Sequence, residues 1–268
     1  MSVATRASQD AALDSLGLES NEAWRVRRLV QAGHGLVLVA GPKRSGRSTT
    51  LHALRREFEA HTGRAVAQVS AAGIHDLFRD VPDAVLADLP NLMVDCALVT
   101  QLFAAVAQGA FVLASLPGER AHHVFFRLRA LGVSREELAA GLTLVMAQTL
   151  VQTLCESCSS PDDSEAARSA LAHACNTWLD GEKARPRCTH AGGCAMCHAS
   201  GGAGRSLLYE CIEIDSSARA LLEEGVPSGV MEQTLLGDGR SMWDQGLRRF
   251  ARGEISLGAL RQAAREPR

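Results

Sequence analysis

A glycine-rich segment near the start of the chain has residue types and spacing that could bind phosphate. It follows an apolar run and consists of Gly41, Pro42, Lys43, Arg44, Ser45, Gly46, Arg47, Ser48 and Thr49. Glycines let the backbone turn tightly, so that successive N–H groups and the start of a helix face phosphate oxygens. A hydroxyl at the position of Ser48 can contact Mg²⁺. The spacing G-x-x-x-x-G-basic-Ser therefore predicts a phosphate-binding loop, or P-loop, for ATP or ADP with Mg²⁺.

The basic residue of this loop departs from the usual pattern. A P-loop normally has a lysine after its second glycine, which reaches the β- and γ-phosphates, whereas this chain has Arg47. Arginine keeps the positive charge, but its planar guanidinium has a different geometry. Hydrolysis depends on placing charge where it develops in the transition state, so we expect nucleotide binding with little or no ATPase activity. Two alternatives stay open, a slow but genuine ATPase and a loop that binds no nucleotide.

Two C-x-x-C pairs form the second group of residues with a chemical spacing. They are Cys155 with Cys158 and Cys194 with Cys197. Two such pairs can converge to supply four thiolates tetrahedrally to Zn²⁺, and a closed shell of four sulfurs favours a structural role. Three other residues could compete as ligands, namely Cys188, His190 and His198. The alternative is four reduced cysteines in a loop.

Composition narrows the classes of protein. The chain has 46% hydrophobic and 22% charged residues and a formal net charge of -2, which predicts a folded protein without a strongly basic surface. We therefore expect no nucleic-acid partner. No run approaches the roughly 20 apolar residues that span a bilayer, so no transmembrane segment is expected. Eight cysteines without a signal peptide suit metal binding in a reducing compartment, which predicts a cytoplasmic protein.

The elements that would position these residues alternate along the first half of the chain. Strands are predicted over 35–40, 65–70, 84–87 and 110–116. Helices are predicted over 48–60, 94–108, 121–131 and 136–154. Short apolar runs alternating with helical patterns are typical of an α/β fold with a parallel sheet.

The sequence pattern changes after residue 154, where two cysteine pairs flank a polar segment. We expect a polar N-terminal tail over 1–20, a P-loop NTPase-like core over 21–154, a tetracysteine subdomain with a following strand over 155–214, and a helical region over 215–268. The tetracysteine part has a predicted helix over 164–179, and the last part is interpreted as a small helical bundle.

Further segments, taken in order with the P-loop, resemble the ATPases that power type II secretion and type IV pilus assembly. Residues 81–91 resemble their Walker B segment, and 109–117 resemble their histidine-box strand, followed by a similar helix over 126–132. Residues 147–158 are similar to their glutamine-leucine helix running into the first cysteine pair. The stretches 204–210 and 239–247 resemble their Gly-Arg-x-x-x-Tyr/His-Glu and C-terminal segments.

The resemblance implies a RecA-like core sheet flanked by helices, with a zinc-bearing tetracysteine insertion and a helical C-terminal region. Compared with that family, this sequence also lacks several residues that would surround the bound nucleotide. Where the family has Gly-Glu in Walker B, this chain leaves one carboxylate, Asp88, as the candidate for contact with Mg²⁺ or water, with a plain strand-end aspartate as the alternative. The histidine of the histidine box falls on Pro117, and His122 and His123 come too late to substitute simply.

Two further groups of the family are expected to be missing. No acidic strand end stands between residues 62 and 81, where the Asp-box carboxylate would be, and few residues precede the P-loop, so the arginines of the family's N-terminal domain are not expected from this chain. An arginine finger contributes roughly 10³–10⁵ in rate in P-loop enzymes. The resemblance thus predicts a degenerate member that docks or regulates within a secretion or pilus machine. Its partners would be components of that machine at the inner membrane, in a homo-oligomer or a hetero-oligomer with an active paralogue.

Overall fold

The short apolar runs of the sequence form one six-stranded sheet in the computed structural model, which describes residues 13–69, 82–89, 96–175, 184–237 and 239–264. The strands are β1 (Leu36–Ala40), β2 (Ala67–Val69), β3 (Ala84–Asp88), β4 (Phe111–Leu116), β5 (Leu142–Leu154), β6 (Ser160–Pro161), β7 (Arg187–Cys188) and β8 (Gly202–Glu213). The order in the large sheet is β2-β3-β4-β1-β5-β8, while β6 and β7 pair separately. The adjacent pairs β2–β3, β3–β4, β4–β1 and β1–β5 are all parallel. This arrangement confirms the predicted α/β fold.

Ten α-helices are described before, between and after these strands. They are α1 (Ser20–Ala32), α2 (Arg47–Thr62), α3 (Cys96–Ala107), α4 (Ala121–Ala130), α5 (Arg135–Gly141), α6 (Glu165–Cys175), α7 (Ser216–Glu224), α8 (Ser228–Leu236), α9 (Met242–Ala251) and α10 (Leu257–Ala263). The helices predicted over 48–60 and 121–131 are confirmed. Those predicted over 94–108 and 164–179 are confirmed for the residues that the structure describes, as is the strand predicted over 65–70.

The prediction of one helix over 136–154 is wrong. Helix α5 ends at Gly141, and the next residue begins β5, which pairs in parallel with β1 from Leu36↔Leu142 onward. The first eight residues of β5 are all buried and five of them are apolar, as in a strand that is covered on both faces. Such a run cannot be told from a buried helix by periodicity alone. The likeness of residues 147–154 to a glutamine-leucine helix is corrected for the same reason, because they lie in β5.

Contacts divide the chain into two compact units. The first comprises residues 1–148 and 210–236, and the second comprises 149–209 and 237–268. Each of the four parts predicted above is one continuous stretch of chain, whereas each unit combines two separate stretches. The predicted domain boundaries therefore stay a prediction. Among the described residues, no helix is both long and apolar enough to cross a membrane.

In the first unit, the main core lies between the sheet and helices α1 and α2. Val37 and Val39 of β1 point into it beside Leu51 and Leu54 of α2. The rings of Phe58 and Phe111 stack with their centroids 4.7 Å apart. Burying each large apolar side chain contributes roughly 1.5–3 kcal/mol, so this core anchors the helix that follows the glycine-rich loop.

The C-terminal region is helical as predicted, and its helices belong to both units. Helix α7 packs on α5 and α8 packs on α4, all in the first unit. Helix α9 packs on α6 and α10, all in the second unit. The helical content is confirmed, and the interpretation of this region as a small bundle stays a prediction.

Candidate nucleotide loop and metal centre

The glycine-rich loop lies at the carboxyl end of β1 and requires its first glycine. A Cβ at Gly41 would lie 2.2 Å from Oγ of Ser45 and 2.6 Å from the carbonyl oxygen of Gln148. The N–H of Gly41 donates to the carbonyl of Leu116 at 3.3 Å, which ties the loop to the end of β4. Arg44 and Gly46 have φ values of 65° and 86°, in the left-handed region. The chain therefore turns sharply enough to begin α2 at the sheet edge where parallel strands end.

Gln148 supports the loop from β5. Its Nε2 donates to the carbonyl of Ser45 at 2.8 Å, and both residues are almost wholly buried. Oε1 of Gln148 and Oγ of Ser45 have no hydrogen-bond partner among the described residues. Buried polar atoms are normally paired, so unpaired ones beside a glycine-rich loop are suited to a polar ligand.

Arg47 is the first residue of α2 and is buried despite its charge. Its relative exposure is 8%, and its Nη1 has no partner among the described residues. Burial lowers the pKa of the Arg47 guanidinium, the charge of Arg127 lowers it further, and the charge of Asp88 opposes the shift. A buried cation with an unpaired donor is costly, and an anion such as phosphate would satisfy it.

Asp88, the predicted Walker B carboxylate, lies beside the loop hydroxyl. Oγ of Ser48 donates to its Oδ2 at 2.6 Å, and Oγ of Ser115 donates to its Oδ1. Ser115 is the register partner of Asp88 in the parallel β3–β4 pair and also accepts from the N–H of Leu89 at 3.2 Å. A P-loop hydroxyl and a Walker B aspartate are the side chains that hold Mg²⁺ in P-loop NTPases. The residues present fit that ion.

Pro117 follows β4, at the position where the family that the sequence resembles has a histidine. Its carbonyl accepts from Nη1 of Arg127, on α4, at 2.8 Å. A cavity of about 450 Å³ opens here, lined by Pro42, Lys43, Pro117, Gly118, Glu119, His123, Val124 and Arg127. Arg127 was missed from the sequence. Its position on the helix after β4 was the available signal, because the carboxyl ends of parallel strands meet at one edge.

The two histidines of α4 point to different surroundings. His123 is exposed and lines the cavity. His122 is buried, with Nε2 3.5 Å from the carboxylate of Glu232, and burial lowers its pKa to about 4, with smaller contributions from His123 and Arg120. His122 therefore belongs to the packing of α4 on α8 and does not replace the missing histidine.

A buried carboxylate fixes the start of α4. Glu210 accepts from Nε of Arg120 at 2.8 Å and from the N–H of Ala121 at 2.9 Å. Arg120 also pairs with Glu232. Glu210 comes from the segment 204–210, which the sequence singled out without a chemical role, and its contacts here position a helix. Ion pairs and backbone donors compensate a buried carboxylate.

The four predicted cysteines come together in the second unit. Their Sγ atoms all lie within 4.8 Å of one another. The Sγ–Sγ distances are 3.8 Å for Cys155–Cys194, 3.9 Å for Cys158–Cys197 and 3.8 Å for Cys194–Cys197. Four sulfurs at the usual Zn–S distance in a tetrahedron are about 3.8 Å apart, so the donor set fits zinc.

Backbone donors surround one of these sulfurs. The N–H groups of Cys194 and Gly201 donate to Sγ of Cys197 at 3.1 and 3.2 Å, and these bonds lower the pKa of that thiol to about 6. The other suggested ligands are placed differently. Sγ of Cys188 lies 3.3 Å from Oγ of Ser160. Nδ1 of His190 accepts a hydrogen bond from the N–H of Gly192. Of the described residues, the group that could hold a metal comprises only the two C-x-x-C pairs.

Comparison with known proteins agrees with the ordered motifs. The chain is 27% identical to the type II secretion system ATPase E of Vibrio cholerae, covering 95% of this chain and 53% of that protein. It is 30% identical to the type II secretion system protein E of Dickeya dadantii, covering 85% of this chain and 48% of that protein. The chain thus spans about half the length of these curated relatives.

Solved structures show the same fold at lower identity. The ATPase DotB of Legionella pneumophila superposes with a TM-score of 0.64 at 17% identity, covering 94% of this chain and 64% of that chain. The pilus retraction motor PilT with bound ADP gives 0.63 at 17% identity, covering 96% of this chain and 68% of that chain. A family model described as "Type II/IV secretion system protein" matches residues 69–265. This match covers most of the chain and confirms the predicted family: the chain belongs to the type II/IV secretion system protein family.

Proposed function

We propose that the chain is a nucleotide-binding member of a type II secretion or type IV pilus-type machine that hydrolyses ATP weakly or not at all. The observation that carries the proposal is the combination of an intact Ser48–Asp88 hydrogen bond with a buried arginine at the position of the usual lysine. Its role would be docking or regulation.

Binding is supported by the loop itself. Gly41 and Gly46 allow the tight turn, and the first N–H groups of α2 have no intrahelical acceptors. The unpaired Nη1 of Arg47 adds a charged donor. Ser48 and Asp88 would hold Mg²⁺, which would neutralise charge on the bound phosphates.

Weak hydrolysis is supported by the surroundings of the same site. Both oxygens of Asp88 accept hydroxyl hydrogen bonds, an arrangement that suits a metal-side carboxylate better than a base for water. Pro117 has no side-chain donor to offer at the end of β4. The expected absence of the Asp-box carboxylate concerns residues 62–81, of which 70–81 lie outside the described part of the chain.

The four cysteines would hold a structural zinc ion in the second unit, because their sulfur spacing matches a tetrahedral shell. The relatives named as type II secretion proteins support a partner within such a machine. We propose a cytoplasmic location, peripheral to the inner membrane through that partner, and assembly with copies of itself or with an active paralogue.

A calorimetric titration with ATP·Mg²⁺, combined with a phosphate-release assay, tests the proposed function. We expect a measurable heat and a rise in melting temperature, because a ligand that binds only the folded state stabilises it. Phosphate release should stay near background. Slow phosphate release that is clearly above background would favour the slow-ATPase alternative, which the Ser48–Asp88 pair also permits. No heat and no melting shift would favour a structural zinc protein.

A further inference from the structure

A fully buried serine holds one of the two oxygens of the candidate Mg²⁺ carboxylate. Ser115 is 0% exposed, and its Oγ donates a hydrogen bond to Oδ1 of Asp88. The other oxygen of Asp88, Oδ2, accepts a bond of 2.6 Å from the exposed residue Ser48. The two oxygens of this carboxylate therefore face different surroundings, a buried hydroxyl of β4 on one side and the hydroxyl of the P-loop on the other.

The backbone fixes the direction in which the hydroxyl of Ser115 points. Asp88 and Ser115 are register partners in the parallel β3–β4 pair, so their side chains leave the sheet on the same face. The N–H of Leu89 donates to Oγ of Ser115 at 3.2 Å. A buried hydroxyl that already accepts one bond still needs an acceptor for its hydrogen, and an ionised carboxylate can only accept. The hydroxyl of Ser115 is therefore held as a donor to Asp88.

This arrangement leaves one oxygen of Asp88 for a cation that binds beside Ser48. The two common divalent cations differ in what they require of a carboxylate. Mg²⁺ is small, demands octahedral geometry and keeps several waters, whereas Ca²⁺ takes roughly six to eight oxygens and accepts both oxygens of one carboxylate. Turning Asp88 to offer both oxygens would break its bond to Ser115 and leave a buried hydroxyl without an acceptor, which is costly. The bond from Ser115 therefore suits the smaller ion.

We propose that Ser115 is a positioning residue that makes the nucleotide site prefer Mg²⁺ to Ca²⁺, because it holds Oδ1 of Asp88 away from the cation. This inference rests on the proposed nucleotide binding. It adds that the site selects between divalent cations, and that the residue responsible lies outside the P-loop motif and acts through Asp88.

The test measures the affinity of the full chain for a non-hydrolysable ATP analogue, once with saturating Mg²⁺ and once with saturating Ca²⁺. We expect the parent chain to bind the Mg²⁺ complex more tightly. Ser115→Ala should reduce the ratio of the Mg²⁺ affinity to the Ca²⁺ affinity by roughly 10-fold, since hydrogen bonds to charged groups are the strong ones. Ser115→Thr retains the hydroxyl and should retain the ratio of the parent chain.

Thr143→Val is the matched control, because Thr143 carries another buried hydroxyl of the same sheet. Its Oγ1 donates to the carbonyl of His34 at 2.9 Å, near the start of β1, whereas the P-loop follows the end of β1. We expect Thr143→Val to lose stability, as Ser115→Ala does, and to retain the cation ratio of the parent chain. A general loss of stability therefore does not imitate the proposed effect.

The outcomes separate the cation preference from the underlying function. If the parent chain binds the analogue with neither cation, both the proposed function and this inference are refuted. If the parent binds both complexes equally, or if Ser115→Ala retains the ratio of the parent, the inference alone is refuted. Should Ser115→Ala fail to fold, Ser115→Cys takes its place, because a thiol is a weak donor and should lower the ratio while Ser115→Thr retains it. Equal ratios in the cysteine and threonine variants would contradict the proposal.

Discussion

The hydroxyl of Ser48 donates to Oδ2 of Asp88 at 2.6 Å, linking the first turn of the helix after the P-loop to the end of β3. The two residues are 40 positions apart in the chain and belong to elements that the parallel sheet brings into contact. This pair combines the two types of side chain that hold Mg²⁺ in P-loop NTPases.

Removing the carboxylate should remove the dependence of nucleotide binding on Mg²⁺. We expect Asp88→Ala to abolish the gain in ATP affinity on adding Mg²⁺, while binding in EDTA changes little, because the loop amides and Arg47 remain. The measurement is an ATP titration with and without Mg²⁺. Asp83→Ala is a suitable control, since Asp83 is exposed and pairs with Arg64. A full Mg²⁺ effect in Asp88→Ala would rule out the metal role of this residue.

Restoring the loop lysine tests how much of the hydrolytic machinery survives. We expect Arg47→Lys to bind ATP and to release phosphate no faster than the parent chain, because Pro117 still occupies the histidine position. Phosphate release measured at saturating ATP decides the matter. A rise of about tenfold or more, equivalent to about 1.4 kcal/mol of transition-state stabilisation, would instead mean that the remaining groups are intact.

Metal removal should destabilise the cysteine-bearing unit. We expect one zinc ion per chain by elemental analysis, and its loss in Cys194→Ser with a fall in stability of roughly 2 kcal/mol or more, because metal-binding energy contributes directly to folding. Cys96→Ser is the matched control, since Cys96 is exposed and outside the cluster. Metal-free protein that melts at the same temperature as the zinc-loaded chain would disprove the structural role.

The buried His122 predicts a pH dependence of stability. Its pKa is lowered to about 4 in the folded chain, against about 6.5 when unfolded, so the unfolded state takes up the proton first as the pH falls. The contribution of the neutral, buried His122 to the free energy of unfolding is therefore complete above pH 6.5. It declines between pH 6.5 and pH 4 and is lost below pH 4. We expect about 1 to 3 kcal/mol over that window, because solvent reduces the full value.

This dependence is measurable by urea unfolding between pH 4 and pH 7. The groups that face His122 are His123 and Arg120 on its own side and Glu232 of α8. His122→Gln should flatten the slope, whereas His123→Gln, at an exposed position, should leave it unchanged. Equal slopes in the parent chain and His122→Gln would show that another group controls the pH response.

Local motifs could be predicted from the sequence because each one is formed by residues that are close together in the chain. The P-loop needs only contiguous glycines between a strand and a helix, and each C-x-x-C pair needs only one turn of chain. The parallel sheet was also predicted, since apolar runs such as 110–116 alternate with helical patterns. The family followed from the order of these motifs.

Tertiary structure decided the points that depend on residues far apart in the chain. Residues 142–154 form a strand because β1 offers them a parallel partner, which no local pattern states. Arg127 lines one cavity with Pro42 and Lys43 because β4 ends beside β1, whereas His122 lies beside Glu232. Cys188 is excluded from the cluster because β7 pairs with β6. In each case the deciding contact joins separate elements, and its energy depends on their packing.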